Sequence, residues 1–283
     1  MKLLNLQIIV EDSKAAQLIT DPGLISYTEE PVRIRAQRYI LLPGEFCTPQ
    51  NYEGKHPDLA VADSRLSFSL EVLKVAKELN LQVRNNNQGF IGYLTFDQTE
   101  QLYDNLQKIT GLFFLSPWYA GRFLNNLQNG MQKEREVKYE DGESVSIDDL
   151  TKIYNDWAEQ RDLWRATWLN VRFKRKDKGL TITHPVVQKN GEIKRVTEPL
   201  DKDTLMEDRI PGIDLSDWLK DPTAQGLVKS TNRQGRVYSW SPMPDYVPSF
   251  GANSGWVFFG CIGDPWGSES TLGSWPARVF HRK

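Results

Sequence analysis

Apolar residues recur at helical spacing through the first half of this chain and at alternate positions through much of the second. Leu66, Leu70, Leu73, Ala76 and Leu79 form one stripe, which predicts an amphipathic helix starting near Ser64 or Ser67. Thr95-Phe96-Asp97-Gln98 has the spacing of a capping box and leads into Leu102, Leu106 and Ile109. Ser116-Pro117 places a cap before a first-turn proline, and the helix it opens is expected to run to Gly130. Ser146 opens a further helix with the stripe Ile147, Leu150, Tyr154 and Trp157, extending toward Trp164. The aromatic residues on these stripes read as core.

Two polar stretches interrupt the pattern. Asn85 to Gly89 reads as a loop between helical segments. Gly130 to Ser144 carries Lys133-Glu134-Arg135-Glu136 and Glu140-Asp141-Gly142-Glu143, and is the candidate linker or long connection. A boundary placed there gives a helix-rich region, residues 1–140, which is either a separate unit or part of the same fold, and a second region, residues 141–283.

From Trp168 the period shortens to two. Leu169 to Phe173 alternates, Asp177-Lys178-Gly179 turns, and Asn190-Gly191 is a two-residue hairpin signal between Val186-Val187 and Ile193 to Val196. A three-stranded meander follows from these signals. Its basic cluster, Arg172 to Lys178, reads as a solvated hairpin tip, since no aromatic platform interleaves it as nucleic-acid binding would need. Leu200 to Pro222 is acidic, with a short helix from Leu215 to Leu219, and its spacing matches no EF-hand loop. Gly235 to Trp240 reads as a strand. The fold class is therefore α+β.

Composition changes sharply near the C-terminus. Between Phe250 and Trp275 lie six aromatics, six glycines and four serines but only Asp264 and Glu269 as charges, in a chain that is 25% charged. Such a mixture suits a binding surface, where rigid aromatics supply area and Ser and Gly adapt around them, or a Gly-rich β core. In Trp256 to Ile262 one face carries Val257, Phe259 and Cys261 and the other Trp256, Phe258, Gly260 and Ile262. Neither face is polar, so either both are buried or one is an exposed apolar patch. Gly263-Asp264-Pro265 then turns.

The ladder Phe250-x-Ala252-x-Ser254-x-x-Val257-x-Phe259-x-Cys261-x-x-Asp264-Pro265, followed by Ser270-x-Leu272-Gly273 and Ala277-Arg278, resembles the variable region of target proteins of diversity-generating retroelements. Two departures are Pro248-Ser249, where Ala-Arg is commoner, and Leu272-Gly273-Ser274-Trp275 in place of Leu-Gly-Val-Arg. The resemblance implies a C-type-lectin-like fold with a hypervariable segment at about residues 246–280, and a role in binding a protein or glycan ligand. It implies ligand contact at Gly251, Asn253, Gly255, Trp256, Phe258, Gly260, Ile262, Gly263, Trp266, Gly267, Ser268 and Glu269, with Phe250, Ala252, Val257, Phe259, Cys261 and Leu272 as scaffold.

The remaining chemistry is sparse. His56, His184 and His281 are the only histidines, and no nucleophile elbow, phosphate loop or metal motif accompanies them, so no catalytic residue, cofactor or metal is assigned. A formylglycine-generating-type enzyme on the lectin-like fold needs neighbouring cysteines, whereas Cys47 and Cys261 are remote in sequence and read as buried reduced thiols, with one long-range disulfide as the alternative. The Trp-Asn-Asp of calcium-dependent sugar lectins is absent. A fixed receptor-binding site of a phage or virus protein is a further alternative. The net charge of −2 gives no footprint for nucleic acid, and no apolar run is long enough for a transmembrane segment. Leu3 to Val10 reads as a first strand in preference to a signal peptide, which would fit the cytoplasm or a virus particle.

Overall fold

A computed structural model describes residues 9–10, 33–34, 37–49, 54–85, 90–162, 164–177, 179–269 and 271–281. The architecture is α+β. A two-residue parallel pair joins β1 (Ile9–Val10) to β2 (Arg33–Ile34), so the strand expected over Leu3 to Val10 is described only at its end. Of the expected Asn85-to-Gly89 loop, residues 86–89 lie outside the described residues; β5 (Arg84–Asn85) enters it and pairs with β6 (Ile91–Gly92) beyond it.

Four of the six helices among the described residues begin where a side chain can accept from the first free backbone N–H groups. α2 (Leu70–Glu78) is capped by Ser69, which accepts from Val72 N. It therefore starts later than Ser64 or Ser67, and Leu66 is a buried loop residue. α3 (Phe96–Thr110) has the complete capping box, with Thr95 Oγ1 accepting from Gln98 N at 3.1 Å and Gln98 Oε1 from Thr95 N at 3.0 Å. Gly111, at φ 74°, ends it in the left-handed conformation. Leu102 and Leu106 face the core, but Ile109 is exposed, because the helix outruns the surface it packs on. α4 (Pro117–Met131) has proline in its first turn. α5 (Ile147–Ala158) is capped by Ser146 and stops at Ala158, short of Trp164. Its stripe is Leu150, Ile153 and Trp157, with Ile147 exposed. α6 (Leu215–Lys220) is capped by Asp214, and α1 is the single turn Gly44–Cys47.

A three-stranded meander comprises β9 (Arg172–Lys176), β10 (Gly179–Val187) and β11 (Ile193–Pro199), with Gly191 at φ 82° in the second turn. Leu169 to Val171 is not part of it; a separate strand, β8 (Arg165–Trp168), precedes that stretch.

Two larger sheets carry the core. One has the order β3 (Tyr39–Leu42), β4 (Leu59–Ala62), β17 (Pro276–Val279), β7 (Phe113–Phe114). The other has the order β12 (Arg209–Ile213), β13 (Val237–Trp240), β15 (Val257–Gly263), β14 (Val247–Ala252), β8, β16 (Leu272–Ser274). The last described strand thus lies between strands from the first half of the chain, and one continuous core runs from Tyr39 to Ala277. The charged stretch before Ser144 is a connection fastened to β3. Leu41 N donates to Lys138 O and Glu140 N to Tyr39 O, Val137 and Tyr139 are buried, and Arg278 donates to both Glu140 oxygens at 2.8 and 2.7 Å.

Trp275 sits where the chain leaves the six-stranded sheet for the four-stranded one. Its indole donates to Ala62 O at 2.5 Å, packs on Trp157 at 4.6 Å and approaches Phe123 at 6.4 Å, while its carbonyl accepts from Leu115 N. Trp275→Ala should lose about 3–5 kcal/mol of stability by opening a cavity between the sheets. Trp275→Phe should lose less, leaving chiefly the Ala62 carbonyl without its donor, at about 1–3 kcal/mol. Urea unfolding of both variants checks this.

Burial lowers the pKa of both His56 and His184, against the opposing pull of the Pro57 carbonyl on one and Glu198 on the other. The unfolded chain therefore binds more protons than the folded one. The stability gained from neutral imidazoles is complete above the ordinary value of 6.5 and is lost as pH falls through the lower folded values. The urea midpoint should fall between about pH 7 and about pH 5, and fall less steeply in His184→Gln.

Candidate functional site

The six-stranded sheet has two unlike faces. Toward the core, Phe250 of β14 and Phe259 of β15 pack on Trp218 of α6 at 5.8 and 4.7 Å, and Phe250 also meets Trp157 of α5 at 6.0 Å. Ala252, Val257, Cys261 and Leu272 are buried as well. Cys47 and Cys261 are free thiols, and burial pushes both upward, so each stays protonated and inert.

The opposite face is covered at one end only. Trp168 of β8 is closed over by Phe96 of α3, edge-on at 5.9 Å, and its indole donates to Leu94 O. Toward β13 the aromatic rings are only partly covered. Tyr238 lies parallel to Trp256 at 5.6 Å and edge-on to Trp240 at 6.3 Å. Trp240 stands against Phe258 at 6.1 Å, and Phe258 lies parallel to Trp164 at 6.2 Å. The register explains the row: Tyr238 pairs with Phe258 and Trp240 with Gly260, which places alternate residues of two neighbouring strands side by side. Trp256 is 40% exposed, Ile262 is also exposed, and Phe258 is buried by its neighbours.

The residues expected to contact a ligand divide by the space around them. Gly251 is buried in β14, and a Cβ there would lie 2.3 Å from Arg165 O, so it belongs to the sheet and not to the contact surface. At Gly263 a Cβ would meet Trp168 at 2.7 Å and Val247 O at 2.8 Å, again leaving no room. Gly260 is covered, but a Cβ there meets nothing nearer than Trp240 at 3.5 Å. Gly255 has similar room, at 3.5 Å from Asn253 Oδ1. Asn253 builds the β14–β15 turn, its side-chain oxygen accepting from Gly255 N at 2.7 Å and Trp256 N at 2.9 Å.

The second group lies past β15. Asp264 Oδ1 accepts from Trp266 N at 2.9 Å and Asp264 O from Gly267 N at 3.0 Å, which makes the expected Asp-Pro turn. Pro265 O accepts from Phe96 N and ties this turn to the start of α3. Trp266 projects with 71% of its surface exposed, and Ser268 and Glu269 are exposed beside it in sequence.

Sequence reading missed Trp164, Tyr238 and Trp240 as members of the aromatic row. Trp164 lies beyond Ala158, where α5 ends, on the stretch over which that helix is expected to extend. Tyr238 and Trp240 alternate with buried Val237 and Ser239, a pattern that does signal a second face. The basic cluster is divided too: Arg172 donates to Asp97 at 2.6 Å and to Glu100, while Lys174, Arg175 and Lys176 are exposed. Among the described residues, no group of three or more His, Cys, Asp or Glu is placed to hold a metal ion, and no helix is long and apolar enough to cross a membrane. Comparison with known proteins gives no match to any family model, curated protein or solved structure.

Gly251→Ala should destabilise the chain by about 1–3 kcal/mol, because the clash is with backbone. Trp266→Ala should change stability by no more than about 0.5 kcal/mol. Thermal unfolding of the pair distinguishes a framework position from a display position.

Proposed function

We propose that this chain is a non-enzymatic ligand-binding protein of the retroelement-target kind, presenting changeable side chains on a C-type-lectin-like scaffold. One observation carries the reading. Half of the exposed large hydrophobic side chains among the described residues, namely Met243, Tyr246, Trp256, Ile262 and Trp266, fall in one short segment, and its alternate residues are packed in the core. Exposed apolar clusters of this kind are unfavourable in water unless a partner covers them.

Recognition on this reading works through shape and aromatic burial. Trp256 and Trp266 are the anchors, and the rigid sheet beneath them keeps the entropic cost of binding low. Phe258 and Gly260 lie on the same outer face of β15, and Gly260 has room for a side chain.

Sequencing the gene's 3′ end across the native population, from the codon of Tyr246 onward, tests the proposal. Variation is expected at Asn253, Gly255, Trp256, Phe258, Gly260, Ile262 and Trp266 to Glu269. Phe250, Gly251, Phe259, Cys261, Gly263 and Pro265 should be constant. A uniform segment, or variation spread equally over both sets, overturns it.

A further inference from the structure

A cleft of about 220 Å³ opens between the Asp264–Pro265 turn and the start of β14. Trp266 and Tyr246 supply its exposed aromatic surface, and Asp97, Arg172, Lys174 and Asp245 supply its polar groups. Only Trp266 among these belongs to the residues expected to contact ligand. The others come from α3, β9 and the β13–β14 connection.

The polar wall is held in place before any ligand arrives. Arg172 donates to Asp97 at 2.6 Å and to Glu100 at 3.0 Å, and its guanidinium lies 4.8 Å from the centre of the Phe96 ring. Glu100 is gripped from its other side by Arg195. Burial works against the charge on Arg172, but the bonds to Glu100 and Asp97 outweigh it and raise its pKa. Trp266 is fixed by the Asp264 turn, which the Pro265–Phe96 bond anchors to the same helix. Asp245 occupies the left-handed region at φ 69°, with its N–H donating to Phe173 O, so its place on the rim is set by β9.

Three properties narrow the ligand. Two carboxylates balance two cations, so the cleft offers no net attraction to a phosphate or to an ammonium group. The volume is below the ~300 Å³ at which drug-sized pockets begin, and suits one ring. The lining combines an exposed indole and phenol with the planar carboxylates of Asp97 and Asp245 and the planar guanidinium of Arg172, beside the Lys174 ammonium. An uncharged ring with apolar C–H faces and a rim of hydroxyls meets all three conditions.

We propose that this cleft binds a single neutral sugar unit, stacked on Trp266 with its hydroxyls bonded to Asp97 and Arg172. The inference rests on Trp266 being a contact residue, as in the function proposed above, and not on the segment being diversified.

Saturation-transfer NMR of the whole chain with a panel of methyl glycosides of neutral hexoses, 6-deoxyhexoses and N-acetylhexosamines tests it. Intrinsic tryptophan fluorescence titrations give the affinity. At least one glycoside should bind saturably with a Kd of millimolar order, as a single ring allows. The affinity should fall at least tenfold in Trp266→Ala and in Asp97→Asn, stay unchanged in Ile147→Ala, an exposed position on α5, and persist in EDTA. Circular dichroism of each variant verifies the fold. Absence of saturable binding across the panel overturns the proposal, as does binding that both cleft variants leave intact. A peptide ligand sensitive to the cleft variants, with no glycoside binding, also overturns it. Sugar binding in the cleft together with a uniform gene segment would retain this site and remove the diversification reading; a variable segment without sugar binding would do the reverse.

Discussion

The structure depends on the clasp around Trp275. Two sheets of different strand composition have to meet over one core, and the chain crosses between them at this residue. Its indole donates to a carbonyl of β4, its carbonyl accepts from the start of α4's approach at Leu115, and its ring is packed between Trp157 and Phe123. With polar groups satisfied and ring surface buried, the crossing point is fixed in position and direction. The aromatic core continues from there through Trp157 and Phe250 to Trp218 and Phe259, reaching under the whole of β14 and β15.

That continuity explains how the same strands can be rigid and still present an apolar outer face. β15 lies inside the six-stranded sheet, between β13 and β14, so its backbone is paired on both sides. Its inward Phe259 packs on Trp218, which also holds Phe250 of the neighbouring β14. Its outward side chains pack on Trp164, Tyr238 and Trp240, while Trp256 and Ile262 stay exposed. At Gly251 and Gly263 neighbouring backbone oxygens come too close for any side chain, although both lie on the stretch that the sequence pattern marks as contact.

Local signals in the sequence were read well where the physics is local. Thr95 and Gln98 form the capping box their spacing announces, Ser146 caps its helix, and Asn190-Gly191 turns the hairpin, because each depends on a few consecutive residues. The two faces of β15 follow from period two alone. What failed depended on tertiary partners. α5 stops at Ala158, where Arg165 reaches back to the carbonyls of Asn155, Asp156 and Glu159, and nothing near Trp164 in the sequence marks that stop. The exposed Ile109 breaks a good helical stripe because its side of the last turn of α3 faces away from the core. The cleft joins Asp97, Arg172 and Asp245, which are far apart along the chain, and no motif could have linked them.

The placement of β17 carries a cost during synthesis. It pairs with β4 on one side and β7 on the other, so these strands of the first half remain separate edges until residue 279 has emerged from the ribosome. Contacts between residues near 60 or 113 and residues near 277 have high sequence separation, and closing such loops is slow. For that interval two short, apolar strand edges stand open to pairing with other chains, the usual route to aggregation of nascent proteins. Truncation products that end before Trp275 would keep those edges permanently, which makes the last described strand a condition of solubility.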